Sequence, residues 1–257
     1  MDEKSRVIRE NILRISHHSG HGHIPTCFSI VELLRATYEC MRHHPEDPAW
    51  PERDIFILSK GHGALALYCT LADLGYFPIS AVWSYGSFES RFGCHPDRHT
   101  VPGVELSTGS LGHGIGVAVG VALGFKLSES PRRVFVLIGD GESNEGSVWE
   151  AVMVAANLKL DNLCVLLDYN CSQTRCLPIT DPEAKFLSFG GEAIAVDGHD
   201  MGAISAAIRS ASRGRPRVIV ARTVKGKGSA TLEREMFAWH RRSPSREELD
   251  AVLGELA

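Results

Sequence analysis

The sequence predicts an α/β domain built on a mostly parallel sheet covered by helices on both faces, three layers in all. Two observations carry this. Short apolar runs, DIFIL, RRVFVLI, NLCVLLD, EAIAV and RVIVAR, alternate with helical segments along much of the chain. Within each run the apolar residues are largely continuous rather than alternating with polar ones, as in strands buried on both faces. A chain of 257 residues, 44% of them hydrophobic, is long enough to bury one large core of this kind. No repeat, low-complexity tract or linker divides it, so residues 1–257 are read as a single domain.

The elements follow in order. Residues 3–17 read as an amphipathic helix, with Val7, Ile8, Asn11, Ile12 and Ile15 at helical spacing. SHHSGHGHIPT is a loop. Ser29 is expected to cap a second helix over 29–41, with Glu32 completing a capping box. DIFIL is a strand, SKGHG the turn after it, and 64–76 a helix ended by Gly75 and Pro78. Residues 84–110 carry few periodic apolar positions and read as a long loop, a length that usually signals function. The helix over 112–127 has Gly116, Gly120 and Gly124 four apart, a bare face that lets another backbone come close. Then come the strand RRVFVLI, the turn GDGESNEG, the helix SVWEAVMVAANLKL and the strand NLCVLLD. EAIAV and RVIVAR are strands around the helix MGAISAAIRSAS, and SREELDAVLGEL is a polar-faced last helix.

Composition excludes several classes. The net charge is −4 and no basic stripe appears, so no nucleic-acid partner is expected. No apolar run reaches the roughly 18–20 residues of a membrane span. MDEKSRVIRE is charged where a signal peptide would be apolar, which places the protein in the cytoplasm. The seven cysteines are an odd count with no CxxC pair, so they are expected to be free and mostly buried. The twelve histidines are unusual, and several sit beside glycine, as ligand-facing histidines on turns often do.

The strongest signal is GDGESNEGSVWEAVMVAANLKLDNLCVLLDYN. Asp140 stands just past one predicted strand and Asn170 just past the next. In a parallel sheet those ends are neighbours, and ligands bind at that edge. A carboxylate, a carboxamide oxygen and a nearby backbone carbonyl are hard donors that suit Mg²⁺ or Ca²⁺ also bound to phosphate oxygens. Gly139 and Gly141 let backbone approach an anion, and the helix starting near Glu145 points its N-terminus the same way. A solvated strand–turn–helix explains GDG alone, but not GDG together with the flanking strand, the helix and DYN. ESNEG is not a P-loop, because no GK[ST] follows.

A GDG turn followed by an Asn after the next strand resembles the thiamine diphosphate motif, and the fuller string resembles the transketolase family. SGHGHIPTCFS, LSKGHGALALY, GCHPDRHTVPGVELSTGSLGHGIGVAVG, VDGHD, VKGKG and WH agree in the same order, from about residue 6 to residue 250. The resemblance implies a thiamine diphosphate-binding fold like the N-terminal half of a transketolase. It implies that Asp140, Asn170 and the carbonyl of Ser172 hold the metal. Gly109, Ser110, Leu111 and Gly112, with Gly139, Gly141 and Glu142, would line the diphosphate and thiazolium pocket. His62 resembles the histidine that reaches the cofactor near the reaction centre. His23 and His95 resemble histidines that contact the substrate's carbonyl and hydroxyl groups, and His240 one near the diphosphate. Imidazoles donate and accept protons near neutral pH, which suits these oxygens. Glu145 resembles an acidic residue at a subunit contact. His17, His18, His21, His43, His44 and His99 are expected to face solvent or bond locally, and His113 stands where the family has another polar residue.

Departures crowd the rim rather than the metal. The loop after His23 reads Ile24-Pro25-Thr26-Cys27 where the family has glycines and a serine. CSQTRC brings Arg175 near the expected place of an aspartate. Gly191 replaces a common tryptophan, and Arg241 a common glycine. The family's activating glutamate sits on a pyrimidine-binding domain, for which 257 residues leave no room. A separate chain like a C-terminal transketolase half is therefore the expected partner, in an α2β2 assembly. The activity implied is transfer of a two-carbon ketol unit from a ketose to an aldehyde or related acceptor. Two alternatives stay open: an α-type subunit of a 2-oxo acid decarboxylase or dehydrogenase, or an acyl-transferring relative, which should lack the SKGH and CHPD histidine pair; and a non-catalytic regulatory paralogue, which the departures favour.

Overall fold

The computed structural model of the chain describes residues 1–210, 212 and 214–256. The apolar runs form five strands: β1 (Ile55–Leu58), β2 (Val134–Gly139), β3 (Leu163–Tyr169), β4 (Glu192–Asp197) and β5 (Arg217–Arg222). All pair in parallel, in the order β1-β2-β3-β5-β4. Leu58 lies opposite Leu137, Leu137 opposite Leu166, and Leu166 opposite Ile219. The carboxyl ends of the strands therefore share one edge, where Lys60, Asp140, Asn170 and Thr223 emerge.

The helices are α1 (Glu3–Ser19), α2 (Ile24–Ser29), α3 (Val31–Cys40), α4 (Ala64–Asp73), α5 (Ile79–Val82), α6 (Gly114–Leu127), α7 (Gly146–Asn157), α8 (Pro182–Ser188), α9 (Met201–Arg209), α10 (Ala230–Arg234) and α11 (Arg246–Glu255). Successive strand residues point to opposite faces. Ile57, Val136, Val165 and Val218 pack under α6 and α7, with Phe186 of α8. The next row, Leu58, Leu137, Leu166 and Ile219, packs under α1, α3, α4 and α9. Both faces are covered, which is why the central strands read as continuous apolar runs. Strand β4 lies at the edge and is only half-buried. Residues 84–110 contain no helix or strand, as expected.

Several local expectations are corrected. The stretch 16–26 is not all loop: α1 runs on to Ser19, and α2 begins at Ile24 with Pro25 in its first turn, where a missing N–H costs nothing. Ser29 caps no helix. It is buried at the end of α2, where its hydroxyl donates to the Thr26 carbonyl at 3.0 Å and to Asp168 Oδ2 at 2.8 Å. Glu32 completes no capping box, because its carboxylate is held by Arg9 and His199 instead. Apolar periodicity gives no sign of helices α8 and α10, although Asp181-Pro182 and Ser229 start them with ordinary caps. The bare glycine face of α6 meets nothing among the described residues: a Cβ at Gly116, Gly120 or Gly124 would have none of their atoms within 4 Å. All the cysteines are free, but only Cys27, Cys69 and Cys164 are buried; Cys171 and Cys176 are exposed on the loop after β3.

The helical layer before β1 is pinned by a buried ion pair. Arg9, fully buried, reaches Glu32 through two bonds of 2.7 Å and the Phe28 carbonyl at 2.8 Å. Burial opposes the Glu32 charge, but His199 and Arg9 outweigh it and hold the carboxyl down at about 2. Removing one partner of such a pair strands the other charge. Arg9→Ala is therefore expected to lower unfolding free energy by about 3–5 kcal/mol in urea titrations; a loss below about 1 kcal/mol, the range of an exposed pair, would show that the pair is dispensable.

Candidate cofactor and active site

The carboxyl edge of β1, β2, β3 and β5 opens into a cavity of about 540 Å³. Its floor is a buried polar knot. Asp168, fully buried on β3, accepts from Lys60 Nζ at 2.5 Å, Asn170 Nδ2 at 2.7 Å and Ser29 Oγ at 2.8 Å, and from the Thr223 hydroxyl. Burial alone would raise this carboxyl; Lys60 and the hydroxyl donors outweigh it and keep it below the ordinary carboxylate range. The bond from Asn170 fixes the amide: with Nδ2 donating to Asp168, Oδ1 accepts the Ser172 N–H at 3.1 Å. The Ser172 hydroxyl donates to Asp140 Oδ1 at 2.6 Å, so β2 and β3 are tied at the point where both candidate metal ligands sit.

Glu142 works as a clamp. Its buried carboxylate accepts from Ser59 Oγ at 2.5 Å, the Gly112 N–H at 2.9 Å and the Gly139 N–H at 3.2 Å. Burial pushes its pKa up against these donors. The clamp holds the 109–113 turn against β2. Two glycines are required here: a Cβ on Gly61 would lie 2.9 Å from the Gly109 nitrogen, and one on Gly112, at φ +79°, would lie 2.4 Å from Ser147 Oγ.

Three imidazoles converge above the floor. Ring centroids of His23 and His62 are 5.5 Å apart, His23 and His240 5.3 Å, His62 and His240 6.2 Å. His23 sits before α2 in the left-handed region at φ 66°, and its N–H donates to the His240 carbonyl at 3.2 Å. Burial first, then His240, His95 and nearby cations, lowers its pKa to about 4. His62 is pushed to about 2 by burial and then by Lys60. His240 is also lowered, by burial and then Lys225. His95 is exposed at the rim against Gly109, and the Tyr68 hydroxyl holds its backbone carbonyl at 3.1 Å.

Most of the residues singled out in the sequence line this cavity: His23, His62, His95, His240, Gly109, Leu111, Gly139, Asp140, Gly141, Glu142, Asn170 and Ser172. Ser110 and Gly112 do not. Ser110 is exposed and its hydroxyl lies 3.2 Å from His113 Nδ1, while the Gly112 N–H is taken by Glu142. Sequence reasoning missed Thr26, Lys60, Gln173 and Lys225 as lining residues. Lys60 and Lys225 stand inside SKGHG and VKGKG, but spacing alone does not say that they point inward. The Lys225 turn is set by His199, whose Nε2 accepts the Val224 N–H at 2.9 Å while Nδ1 lies 3.0 Å from Glu32, which fixes the Nδ1–H tautomer. Of the rim departures, Arg175 stacks over Phe237 at 4.2 Å, Gly191 packs against Val218 and the Phe186 carbonyl, and Arg241 lines the cavity.

The donors fit a metal–diphosphate group. Lys225 is buried, pairs with no carboxylate among the described residues, and has its ammonium 3.3 Å from His240 Nδ1. Burial and then Lys60 lower its pKa to about 8, a cost that a bound anion would relieve. Asp140, Asn170 and Ser172 offer hard oxygens. No cluster of three or more His, Cys, Asp or Glu among the described residues could hold a metal by itself, so phosphate oxygens would have to complete the shell.

Fold and site together define a parallel α/β domain that binds a diphosphate cofactor at the carboxyl edge of its sheet. Residues 5–248 match the family described as transketolase, thiamine diphosphate binding domain. The chain belongs to the transketolase family. It is 40% identical over 264 residues to one of the subunits of the apulose-4-phosphate transketolase of Actinobacillus succinogenes, covering all of this chain and 95% of that one. It is 38% identical over 264 residues to the 6-deoxy-6-sulfo-D-fructose transketolase subunit SqwG of a Clostridium species, covering 96% of it. Its fold superposes on a transketolase from Pichia stipitis with a TM-score of 0.89 at 28% identity, covering 97% of this chain and 40% of that one. No described helix is long and apolar enough to cross a membrane.

An imidazole whose folded pKa lies below the unfolded value binds fewer protons when folded. Stability is then greatest above pH 6.5 and falls as pH drops toward about 4 for His23 and about 2 for His62. In NMR titrations of the cofactor-free chain, neither ring should titrate between about pH 5 and 8. Stability should fall less steeply below pH 6.5 in His62→Gln than in the parent. A full His62 titration with a midpoint above 6 would show that the cavity floor is wet.

Proposed function

We propose that this chain is the cofactor-holding subunit of a two-component, thiamine diphosphate-dependent transketolase, transferring a two-carbon ketol unit from a ketose to an aldehyde acceptor. The observation that carries it is the convergence of His23, His62 and His240 over the edge formed by Asp140, Asn170 and Lys225, which pairs with no carboxylate among the described residues. The names of the two relatives, each one subunit of a transketolase, support the same reading.

Asp140 and Asn170, with the Ser172 carbonyl, would hold Mg²⁺ (or Ca²⁺), and Lys225 and Lys60 would face the diphosphate. Gly109, Leu111, Gly139 and Gly141 would let it approach the backbone, with Ser110, Gly112 and Glu142 supporting that turn. Thiamine diphosphate supplies, when bound, a carbon nucleophile and a sink for the electron pair released by carbon–carbon cleavage. His62 faces the cofactor's reaction centre; His23 and His95 orient and exchange protons with substrate oxygens; His240 bridges to the diphosphate end. A bound anion would compensate Lys225, whose charge adds to burial in holding His23, His62 and His240 below neutral pH.

The pyrimidine-binding domain and its glutamate would come from a separate chain, in an α2β2 assembly in the cytoplasm. An apolar surface supports a partner: Val117 beside the bare glycines of α6, and Met153 and Val154 on α7, are exposed, as is Glu145. His62 and His95 at one cavity argue against the 2-oxo acid reading, and the intact Asp140–Ser172–Asn170 bridge against a non-catalytic paralogue.

The purified chain alone should bind thiamine diphosphate weakly and show no ketol transfer, with activity appearing when the pyrimidine-domain partner is added; robust transfer by the lone chain would sink the split-subunit proposal. In the assembled complex, Asp140→Ala and Asn170→Ala should each remove most Mg²⁺-dependent cofactor binding in isothermal titration, since each deletes a hard oxygen ligand. Unchanged affinity in both variants would make the GDG turn merely structural.

A further inference from the structure

We propose that Arg241 is a specificity residue that grips a tetrahedral anionic group, phosphate or sulfonate, carried by the sugar substrate at the cavity mouth. The inference rests on the ketol-transfer reading and names its substrate class. Two adjacent arginines make the case by contrast. Arg242 is locked: its guanidinium binds both Glu248 oxygens at 2.7 and 2.9 Å and stacks over Trp239 at 3.6 Å. Arg241 instead lines the cavity, and among the described residues its side chain makes no ion pair and no hydrogen bond.

Its backbone, in contrast, is fixed. The carbonyl of His240 accepts the His23 N–H at 3.2 Å, and His17 Nδ1 lies 2.9 Å from the Pro244 carbonyl. Arg242 is tied to Glu248, and Ser245 and Glu248 form a capping box at the start of α11. Chain 20–23 passes so close that a Cβ on Gly22 would lie 2.3 Å from the Arg241 carbonyl carbon. A rigid backbone presenting an uncommitted guanidinium into a cavity is a preorganised anion receptor, and its planar fork suits a tetrahedral oxyanion.

The cation is not needed by the cofactor. Lys225, buried beside Lys60 and Asp140, serves the diphosphate end. Arg241 is exposed at the rim and acts electrostatically on His23, assigned above to the substrate, and on its neighbour His240. An anionic group carried by a substrate that reaches His23 would therefore meet this cation at the rim.

The test is steady-state kinetics of the assembled complex with Arg241→Gln and Arg241→Lys. Three substrate sets are compared: fructose 6-phosphate with glyceraldehyde 3-phosphate, 6-deoxy-6-sulfofructose with the same acceptor, and the uncharged pair erythrulose with glycolaldehyde. Loss of a charge-assisted fork should lower the charged-to-uncharged ratio of kcat/KM by about 10- to 100-fold in Arg241→Gln, mostly through KM, with Arg241→Lys in between. A loss on the phosphate arm, the sulfonate arm or both supports the proposal and identifies the group. An equal loss on the uncharged pair, or no loss on either charged arm, overturns it. A complex that transfers no ketol unit would refute the transferase reading instead. Arg241 is then decided by binding: inorganic phosphate is titrated into the full chain with magnesium pyrophosphate filling the diphosphate cradle, and the His23 and His240 resonances are followed. A Kd weakened fivefold or more in Arg241→Gln supports the receptor, and superimposable isotherms overturn it.

Discussion

Asp168 is a carboxylate with no exposure to water, and donors from four segments meet on it: Lys60 after β1, Ser29 at the end of α2, Thr223 after β5 and Asn170 after its own strand. An ion buried so completely is tolerable only when every lone pair is satisfied. That demand fixes the ends of three strands and the start of the helical layer relative to one another. It also orients the Asn170 amide, so that its oxygen faces Ser172 and the Asp140 side. Asp168 does not line the cavity, yet the cavity's geometry depends on it.

A second balance sits above that floor. The cavity collects Lys60, Lys225 and Arg241 together with four imidazoles, while Asp168 is already committed to Lys60, Glu142 to backbone and hydroxyl donors, and Asp140 accepts from Ser172 and Gly141. Burial first, and the neighbouring cations second, shift His23, His62, His240 and Lys225 toward their neutral forms. Lys225 and Arg241 pair with no carboxylate among the described residues, so an anion entering this semi-enclosed space would find a favourable field. The thiamine diphosphate for which this family's domain is named would bring such an anion.

The rim is less constrained than the floor, and the departures from the family pattern gather there. Pro25 sits in the first turn of a helix, and Arg175 settles over an aromatic ring. Gly191 fills a tight place, with a hypothetical Cβ 3.0 Å from Val218. Arg241 alone among these departures is left with a cavity-facing cation and no partner among the described residues. Keeping the floor while varying the rim is how one cofactor site serves different substrates.

Much was legible in the sequence, for physical reasons. Strands buried on both faces must be apolar throughout, so β1, β2, β3 and β5 could be read directly, with the half-buried edge strand β4 found by its Ala-Ile-Ala-Val run, and the GDG turn and the Asn of DYN fell at the carboxyl ends of β2 and β3, where a parallel sheet gathers its ligand-binding residues. Motifs whose chemistry is local, such as a glycine beside a ligand-facing histidine, survive translation into one dimension. What only the tertiary structure decided were the long-range polar choices. Ser29 and Glu32 have the right spacing for a capping box, but Asp168, Arg9 and His199, distant in sequence, offer stronger partners. The inward turn of Lys60 and Lys225, the loss of Ser110 and Gly112 from the cavity wall, and the opposite fates of Arg241 and Arg242 follow the same rule. Hydrophobic periodicity is set by neighbours three or four residues away, whereas a buried charge takes whichever partner the fold delivers.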